Sequence, residues 1–237
     1  MKRKRSSSGI KQACGPAPGL ALAQLPNVGS KKLHWADGQG DYTAQGAAFT
    51  KGLIGDVAVI ERGDAYDMRL GDKIHVKQID WIVQLQQLSV TDVLTNYDGD
   101  VGHSTEWDAI LILDKCHTGA TVASIADIFS HCDANGGLRL NMVNRNRFKV
   151  LHRERLSVRG DVSNDGTNLY VVGGRKTKDV SLKMDIPLTY TLDVTTGTVS
   201  DLEKNALITA FVPRSLANDG EAVSCDVVQH VRVFFTT

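Results

Sequence analysis

The sequence predicts an all-β protein: a single eight-stranded antiparallel jelly roll with one short helix in a loop and a disordered basic arm at the N-terminus. Three observations support this fold class. Eight segments carry the alternating or β-branched pattern of strands, a helical period occurs only once, and several connections are long. Because helix and strand signals do not alternate, a parallel sheet of βαβ units is not expected. A double-sheet jelly roll accommodates this number of strands and these connections.

Residues 1–48 are predicted to form a mobile basic arm, and residues 49–237 to form the jelly-roll domain. The arm is rich in Ser, Gly, Pro, Ala and Lys and has no sustained hydrophobic period, so it cannot bury enough apolar surface to offset the entropy of ordering. Trp35 is expected to mark where the arm meets the folded body. The short basic cluster at Lys2–Arg5 is of the kind that nuclear import receptors or phosphates recognise.

The charge of the chain is unevenly distributed. The 237 residues have a formal net charge of zero, yet seven basic residues and no acid lie between Met1 and Ala36, so a +7 segment precedes a −7 body. This asymmetry is typical of a nucleic-acid-binding tail. The seven basic residues are Lys2, Arg3, Lys4, Arg5, Lys11, Lys31 and Lys32.

The eight strand signals follow in chain order. In the second of them the apolar phase changes from even to odd positions after Val76, which predicts a β-bulge. The third is a continuous apolar run, as in a strand buried on both faces. Thr121–Ser130 is the helix candidate, because its apolar residues recur at helical spacing. The strand signals are Leu53–Glu61, Lys73–Val90, Trp107–Asp114, Asn144–Val158, Leu169–Val172, Asp179–Asp193, Ala206–Val212 and Cys225–Thr236.

The segment Asn144–Val158 carries a stripe of cations at alternate positions. Like charges two residues apart on one strand face repel each other, so the stripe is unfavourable unless an anion lies against it. Two interpretations stay open: a surface that binds nucleic-acid phosphates without reading sequence, and a solvated face whose cations pair with acids elsewhere in the chain. Few aromatic residues accompany the stripe, so no base code is expected. Its members are Arg145, Arg147, Lys149, Arg153 and Arg155.

No motif with catalytic spacing is present: GxSxG, HExxH, GxxxxGK[ST] and GxGxxG are all absent. We therefore expect neither an enzyme nor a cofactor. Cys116–His117 and His131–Asp133 do not match a zinc pattern, so no metal site is expected. No apolar run approaches the roughly 18 residues of a membrane span. The four cysteines are scattered and are interpreted as reduced thiols of an intracellular protein: Cys14, Cys116, Cys132 and Cys225.

Several short motifs occur together in a fixed order. They are the basic arm, the strand Asn146–Leu151, Ile186–Pro187 after an alternating strand, and Asn205–Ile208 followed some twenty residues later by His230–Phe235. In this order over residues 140–237 the chain resembles the capsid proteins of small circular single-stranded DNA viruses that encode a replication initiator, such as circoviruses, geminiviruses and nanoviruses.

The resemblance implies a coat protein that self-assembles into a small T=1 icosahedral shell of about 60 copies and packages single-stranded DNA. It implies that the DNA lies against Lys2, Arg3, Lys4, Arg5 and Lys11 of the arm and against the five cations of the stripe on a luminal strand face. It also implies that Lys2–Arg5 act as a nuclear localisation signal read by import receptors, and that the protein occurs in the virion and the host nucleus. Three alternatives stay open: a coat protein of a small RNA or satellite virus, a cellular nucleic-acid-binding β-sandwich, and an enzyme or sugar-binding jelly roll.

Overall fold

The computed structural model describes residues 32–44, 53–87, 104–117, 121–131, 138–159, 161–164, 169–172, 174–213 and 223–237. These ranges contain thirteen strands, one α-helix and one 3₁₀ turn, at Val199–Asp201. In chain order the other elements are β1 (Lys32–Ala44), β2 (Leu53–Asp56), β3 (Lys73–Gln87), β4 (Ser104–Asp114), α1 (Ile125–Ile128), β5 (Phe129–His131), β6 (Arg139–Leu140), β7 (Phe148–Arg159), β8 (Asp161–Asn164), β9 (Leu169–Val172), β10 (Arg175–Tyr190), β11 (Leu202–Lys204), β12 (Ala206–Pro213) and β13 (Val223–Thr236).

Two antiparallel sheets form the body of the protein. One has the strand order β1-β13-β3-β10-β11 and the other the order β2-β12-β4-β7. Apart from the short β11, each sheet has four principal strands, and β1 and β2, near the start of the chain, pair with β13 and β12 at its end. This is the strand order of a jelly roll, so the predicted fold class is confirmed. The predicted strand at Leu169–Val172 exists as β9, but it pairs with β8 in a separate hairpin.

The first principal strand, β1, lies inside the segment predicted to be mobile, so that prediction is wrong for residues 32–44. The strand pairs with β13 along its whole length. Its pattern gave no strand signal, because Lys32 and His34 occupy inward positions whereas Leu33 and Trp35 occupy outward ones. Backbone pairing with β13 satisfies the main chain despite this inverted pattern. Residues 1–31 and 45–48 lie outside the described residues, and their mobility stays a prediction.

The bulge predicted in the second strand signal is confirmed. In the ladder between β3 and β13, Gln78 lies opposite Phe234 and Val76 lies opposite Phe235, which leaves Lys77 without a ladder partner. The buried side chains of β3 change from even to odd positions at this residue. One inserted residue therefore keeps both halves of the strand packed on the same core.

Burial of β4 on both faces is also confirmed. Every residue from Trp107 to Asp114 is at most 9% exposed. Toward the other sheet, the ring of Trp81 on β3 meets the ring of Phe211 on β12, the neighbour of β4, with their centroids 5.8 Å apart. On β4 itself the buried residues include Asp108 and Asp114, so this strand buries two carboxylates as well as apolar side chains.

The helix predicted at Thr121–Ser130 is confirmed in type but is shorter, at four residues. It begins after Ser124, which forms a capping box with Asp127. It ends because Phe129 already belongs to β5, which pairs with β6. The apolar spacing seen in the sequence therefore serves two elements, since Ile125, Ile128 and Phe129 are all buried.

The connection between β2 and β3 is held by a fully buried arginine. Arg69 is 0% exposed and donates hydrogen bonds to the carbonyls of Ile60 (3.0 Å), Gly71 (2.9 Å) and Val194 (2.5 Å). Its guanidinium carbon lies 4.1 Å from the centroid of the Tyr190 ring. Because these contacts offset the cost of burying the charge, Arg69 fastens this connection to the chain that follows β10.

Candidate nucleic-acid interface

The predicted stripe of five cations does not form one continuous strand face. β7 begins at Phe148, so Arg145 and Arg147 lie in the turn that precedes the strand. Within β7 the ladder to β4 skips Leu151. This bulge changes which side of the sheet the following side chains occupy.

The consequence of the bulge can be read from the residues that lie opposite each other. Lys149 lies opposite Leu113 of β4, and Arg153 lies opposite Ile110. Directly opposed residues share a face, and odd and even positions of β4 lie on different faces. Lys149 is therefore on the other side of the sheet from Arg153 and Arg155, and the expectation of one shared face is wrong. The sequence contained a sign of this, because Leu151 interrupts the cationic positions.

Two of the five cations form ion pairs with buried carboxylates. Arg147 binds Asp114 with both ends of its fork, at 2.8 Å from Nε to Oδ1 and 2.7 Å from Nη2 to Oδ2. The Nη2 of Arg153 lies 2.6 Å from Oδ2 of Asp108. Both carboxylates are 0% exposed. The interpretation that the cations pair with acids elsewhere in the chain is thus correct for these two residues, whose charges are compensated within the fold.

The other three cations are exposed. Arg145, Lys149 and Arg155 form no ion pair with any residue in the part of the chain that the structure describes. Lys149 lies with Lys183 beside an open cleft of about 320 Å³ between β7 and β10, floored by apolar side chains that include Leu151. These three positions are the part of the stripe that is available to phosphates. Their role in binding nucleic acid stays a prediction.

The remaining predicted contacts, Lys2, Arg3, Lys4, Arg5 and Lys11, lie outside the described residues, as does the predicted nuclear localisation signal. What the structure does show is where the arm joins the body. The ammonium of Lys32, the first residue of β1, donates to the carbonyls of Ala65 (3.3 Å) and Met68 (2.7 Å). The root of the arm is therefore fixed on the edge strand of the five-stranded sheet.

A second surface, which the sequence-based reasoning missed, lies next to this root. Trp35 is 50% exposed, and the guanidinium carbon of Arg232 lies 4.5 Å from the centroid of its ring. Leu33 and Phe234 lie opposite each other in the same ladder. The sequence pattern of β13 identified the buried residues at odd positions, but this surface is formed by the outward residues at even positions. The only sequence signal for it was Trp35 itself, in a segment expected to lack a strand.

The end of the four-stranded sheet near Arg147 contains buried titratable side chains. Burial, with a smaller contribution from the charge of Asp114, raises the pKa of Asp56 to about 7, although its Oδ1 accepts a hydrogen bond of 2.9 Å from the Ala58 N–H. Its Oδ2 is buried without a hydrogen-bond partner among the described residues. The Nδ1 of the buried His117 lies 3.9 Å from Oδ2 of Asp114. Because the pKa of Asp56 is raised in the folded chain, the stability of this end of the sheet should depend on pH.

Neither a metal cluster nor a membrane helix occurs in the described ranges. There, no three or more His, Cys, Asp or Glu side chains converge as metal ligands would. Of the possible ligands considered from the sequence, Cys116 is a free, exposed thiol and His117 is buried. Within the same ranges, no helix is both long and apolar enough to span a bilayer.

Comparison with known proteins gives a remote structural likeness. No protein-family model matches the chain, and no curated protein matches it. Among solved structures the chain is similar to the capsid protein of the circovirus BFDV, described as the crystal structure of a 60-mer. The two are 6% identical with a TM-score of 0.29, over 87% of this chain and 93% of that one. So remote a likeness carries no argument about function, and the jelly-roll assignment rests on the strand order itself.

Proposed function

We propose that the protein is a viral coat protein that self-assembles into a small closed shell and packages nucleic acid. The observation that carries this proposal is the attachment of a segment with six cations and no acid, residues 1–31, directly to the edge strand of a jelly roll. Jelly rolls occur in viral capsids, lectins and cupins. Of these, a capsid has a use for a long basic segment, because a polyanion is the partner that such a segment binds.

The proposed cargo is single-stranded DNA, a choice supported by the motif resemblance of residues 140–237. The arm residues Lys2, Arg3, Lys4, Arg5 and Lys11 would bind phosphates and release counterions. Of the stripe, Arg145, Lys149 and Arg155 are the cations without an ion pair among the described residues. Because Lys149 lies on the other side of the sheet from Arg155, one bound strand would contact only one of these two sides. Arg147 and Arg153 would contribute less, since each already neutralises a buried aspartate. Nuclear entry through Lys2–Arg5 is part of the same proposal.

Purified full-length protein tests the assembly. Size-exclusion chromatography with negative-stain electron microscopy should show closed particles that elute in the void volume. Digestion of the extracted contents with DNase and with RNase identifies the cargo. A single, nucleotide-free subunit at physiological salt would refute the proposal, whereas a small nucleic-acid-binding oligomer would favour a cellular β-sandwich.

The role of the arm in binding nucleic acid is tested by neutralising its first five cations. Replacing Lys2, Arg3, Lys4, Arg5 and Lys11 by Gln should lower the slope of log affinity against log salt by about 3 to 4, because each contact with a single strand contributes about 0.7. The matched control exchanges Lys and Arg at the same five positions and keeps the charge. An unchanged salt slope in the Gln variant would show that the arm does not bind the cargo.

A further inference from the structure

We infer that the outer surface around Trp35 is a base-stacking site for single-stranded nucleic acid, an inference that rests on the proposed function. The surface consists of Leu33, Trp35, Arg232 and Phe234, on the paired strands β1 and β13. Its contribution differs from that of the arm, because it would contact bases rather than phosphates.

The position of these side chains follows from the alternation of β13. Val231 and Val233 are 0% exposed and face the core, so Arg232 and Phe234 point to the opposite side of the sheet. Trp35 lies opposite Arg232 and therefore shares its side. An indole that is half exposed in the folded chain leaves a broad apolar ring in contact with water.

The chemistry of the surface suits a nucleobase. Indole and guanidinium groups are both flat, and both are groups on which bases of single-stranded nucleic acids stack. Arg232 forms no ion pair with any described residue. Asp80 lies directly opposite Arg232 in the ladder, and its Oδ1 accepts hydrogen bonds from the Gln78 amide (2.8 Å) and the Ser181 hydroxyl (2.7 Å). Because the guanidinium of Arg232 lies against the Trp35 ring and not in an ion pair with Asp80, it can donate to a phosphate next to a stacked base.

The neighbouring row of the sheet extends the surface. In the ladders, Leu33 lies opposite Phe234, Phe234 lies opposite Gln78, and Gln78 lies opposite Lys183. The row runs from an apolar end at β1 to an exposed ammonium on β10. A strand of nucleic acid crossing the sheet would meet an aromatic platform first and a phosphate-binding lysine further along.

The arm brings the ligand to this site. Its last cations, Lys31 and Lys32, directly precede Leu33 in the chain. Lys32 is held by two backbone carbonyls, so the root of the arm stays beside Trp35. Because the arm is joined to β1 through the peptide chain, a polyanion that it binds is tethered to the strand that carries Trp35. Double-stranded nucleic acid would bind the arm but would offer no unstacked bases to Trp35.

The three tryptophans provide a direct assay. Trp81 and Trp107 are 0% and 1% exposed, whereas Trp35 is half exposed, so quenching of tryptophan fluorescence by a bound base reports on Trp35. The full chain, freed of nucleic acid by nuclease and high salt, is titrated with an oligothymidylate of about 20 nucleotides and with an abasic oligomer of equal length. We expect the oligothymidylate to quench the emission and the abasic oligomer to leave it unchanged.

Variants separate stacking from charge. Trp35→Ala should abolish the quenching and weaken oligothymidylate binding by about 5- to 100-fold, with abasic binding unchanged. Tyr66→Ala removes another exposed aromatic ring, 65% exposed, and should change nothing. Arg139→Ala removes an exposed cation of β6 that belongs neither to the arm nor to the stripe, and it should leave the quenching intact.

Two results would overturn the inference. One is that wild-type protein binds the oligothymidylate without quenching of its fluorescence. The other is that Trp35→Ala loses the same amount of affinity for the oligothymidylate and for the abasic oligomer. Each of them leaves the proposed function standing, because binding through the arm would persist. Failure of wild-type protein to bind either oligomer would refute the proposed function together with the stacking site. Circular dichroism of Trp35→Ala verifies that the exposed substitution leaves the fold intact.

Discussion

Replacing Asp56 by Asn should remove much of the pH dependence of stability between about pH 4 and pH 7. The carboxyl group is buried at the end of β2, and its pKa is raised from 3.8 to about 7, first by burial and then by the charge of Asp114. The side-chain amide of the variant would keep, through its oxygen, the hydrogen bond that Oδ1 accepts from the Ala58 N–H. The substitution therefore removes the titration while it preserves the shape of the side chain.

The direction and size of the effect follow from linkage. Because the pKa of Asp56 is higher in the folded chain than in the unfolded one, the folded state favours the protonated acid. Its stabilising contribution is complete below the unfolded pKa of 3.8 and is lost as the pH rises through about 7. A rise in pKa of about 3, at 1.36 kcal/mol for each pKa unit, corresponds to about 4 kcal/mol of unfolding free energy. This is a large part of the 5–15 kcal/mol that stabilises a typical domain.

Urea unfolding measures the effect. The free energy of unfolding of wild type and of Asp56→Asn is compared near pH 4 and near pH 8, in high salt and at several protein concentrations so that assembly does not contribute. From about pH 4 to about pH 8, the free energy of unfolding of the variant should rise by about 4 kcal/mol relative to that of wild type. Any constant offset, such as an unpaired amide N–H, cancels in this difference. Asp179→Asn, at an exposed position of β10, is the matched control and should gain little.

If the free energy of unfolding changed with pH in the same way for wild type and Asp56→Asn, the result would refute this reasoning. It would mean that Asp56 titrates alike in the folded and unfolded chains, as an acid does when water reaches its free oxygen. A variant that loses stability relative to wild type as the pH rises would contradict the sign, and would show that the ionised form is the one favoured by the fold.

Two further predictions concern the packing of the body. Arg147→Met should cost about 3–5 kcal/mol of unfolding free energy, because the buried carboxylate of Asp114 loses its bidentate partner. Arg155→Met should change the unfolding free energy by less than about 0.5 kcal/mol. Equal costs for the two variants would contradict the distinction between compensated and free cations. Gly197→Ala should cost about 1–3 kcal/mol of unfolding free energy, since the added Cβ would lie 3.1 and 3.3 Å from two backbone atoms of a neighbouring segment. Gly71 has open space around it, so Gly71→Ala should leave the stability nearly unchanged. Thermal unfolding of the pair checks this, and equal melting temperatures would show that the neighbouring segment yields without cost.

Much of the fold could be predicted because burial imposes a local pattern. The phase change at Lys77 is visible in the sequence, since one inserted residue must move the apolar side chains from even to odd positions. The alternation before Tyr190 is equally visible, because one face of β10 packs on the core. By contrast, β1 could not be recognised. Its inward Lys32 finds its hydrogen-bond partners more than thirty residues away, at Ala65 and Met68.

The candidate site was predictable only in part. The cations of residues 145–155 are evident from the sequence, but their division into compensated and free charges depends on which carboxylates β4 buries beside them. The Trp35 surface requires the pairing of two strands from opposite ends of the chain. No local pattern contains that pairing.

By itself, the sequence determined that this chain is an all-β jelly roll with a strongly basic leading segment, because hydrophobic period and net charge are properties of neighbouring residues. Only the tertiary structure decided which cations are neutralised, which side of the sheet each of them occupies, and where Trp35 and Arg232 meet. Ion pairs and cross-strand contacts join residues that are distant along the chain. Their energies therefore depend on the register of the strands, which a single bulge can change.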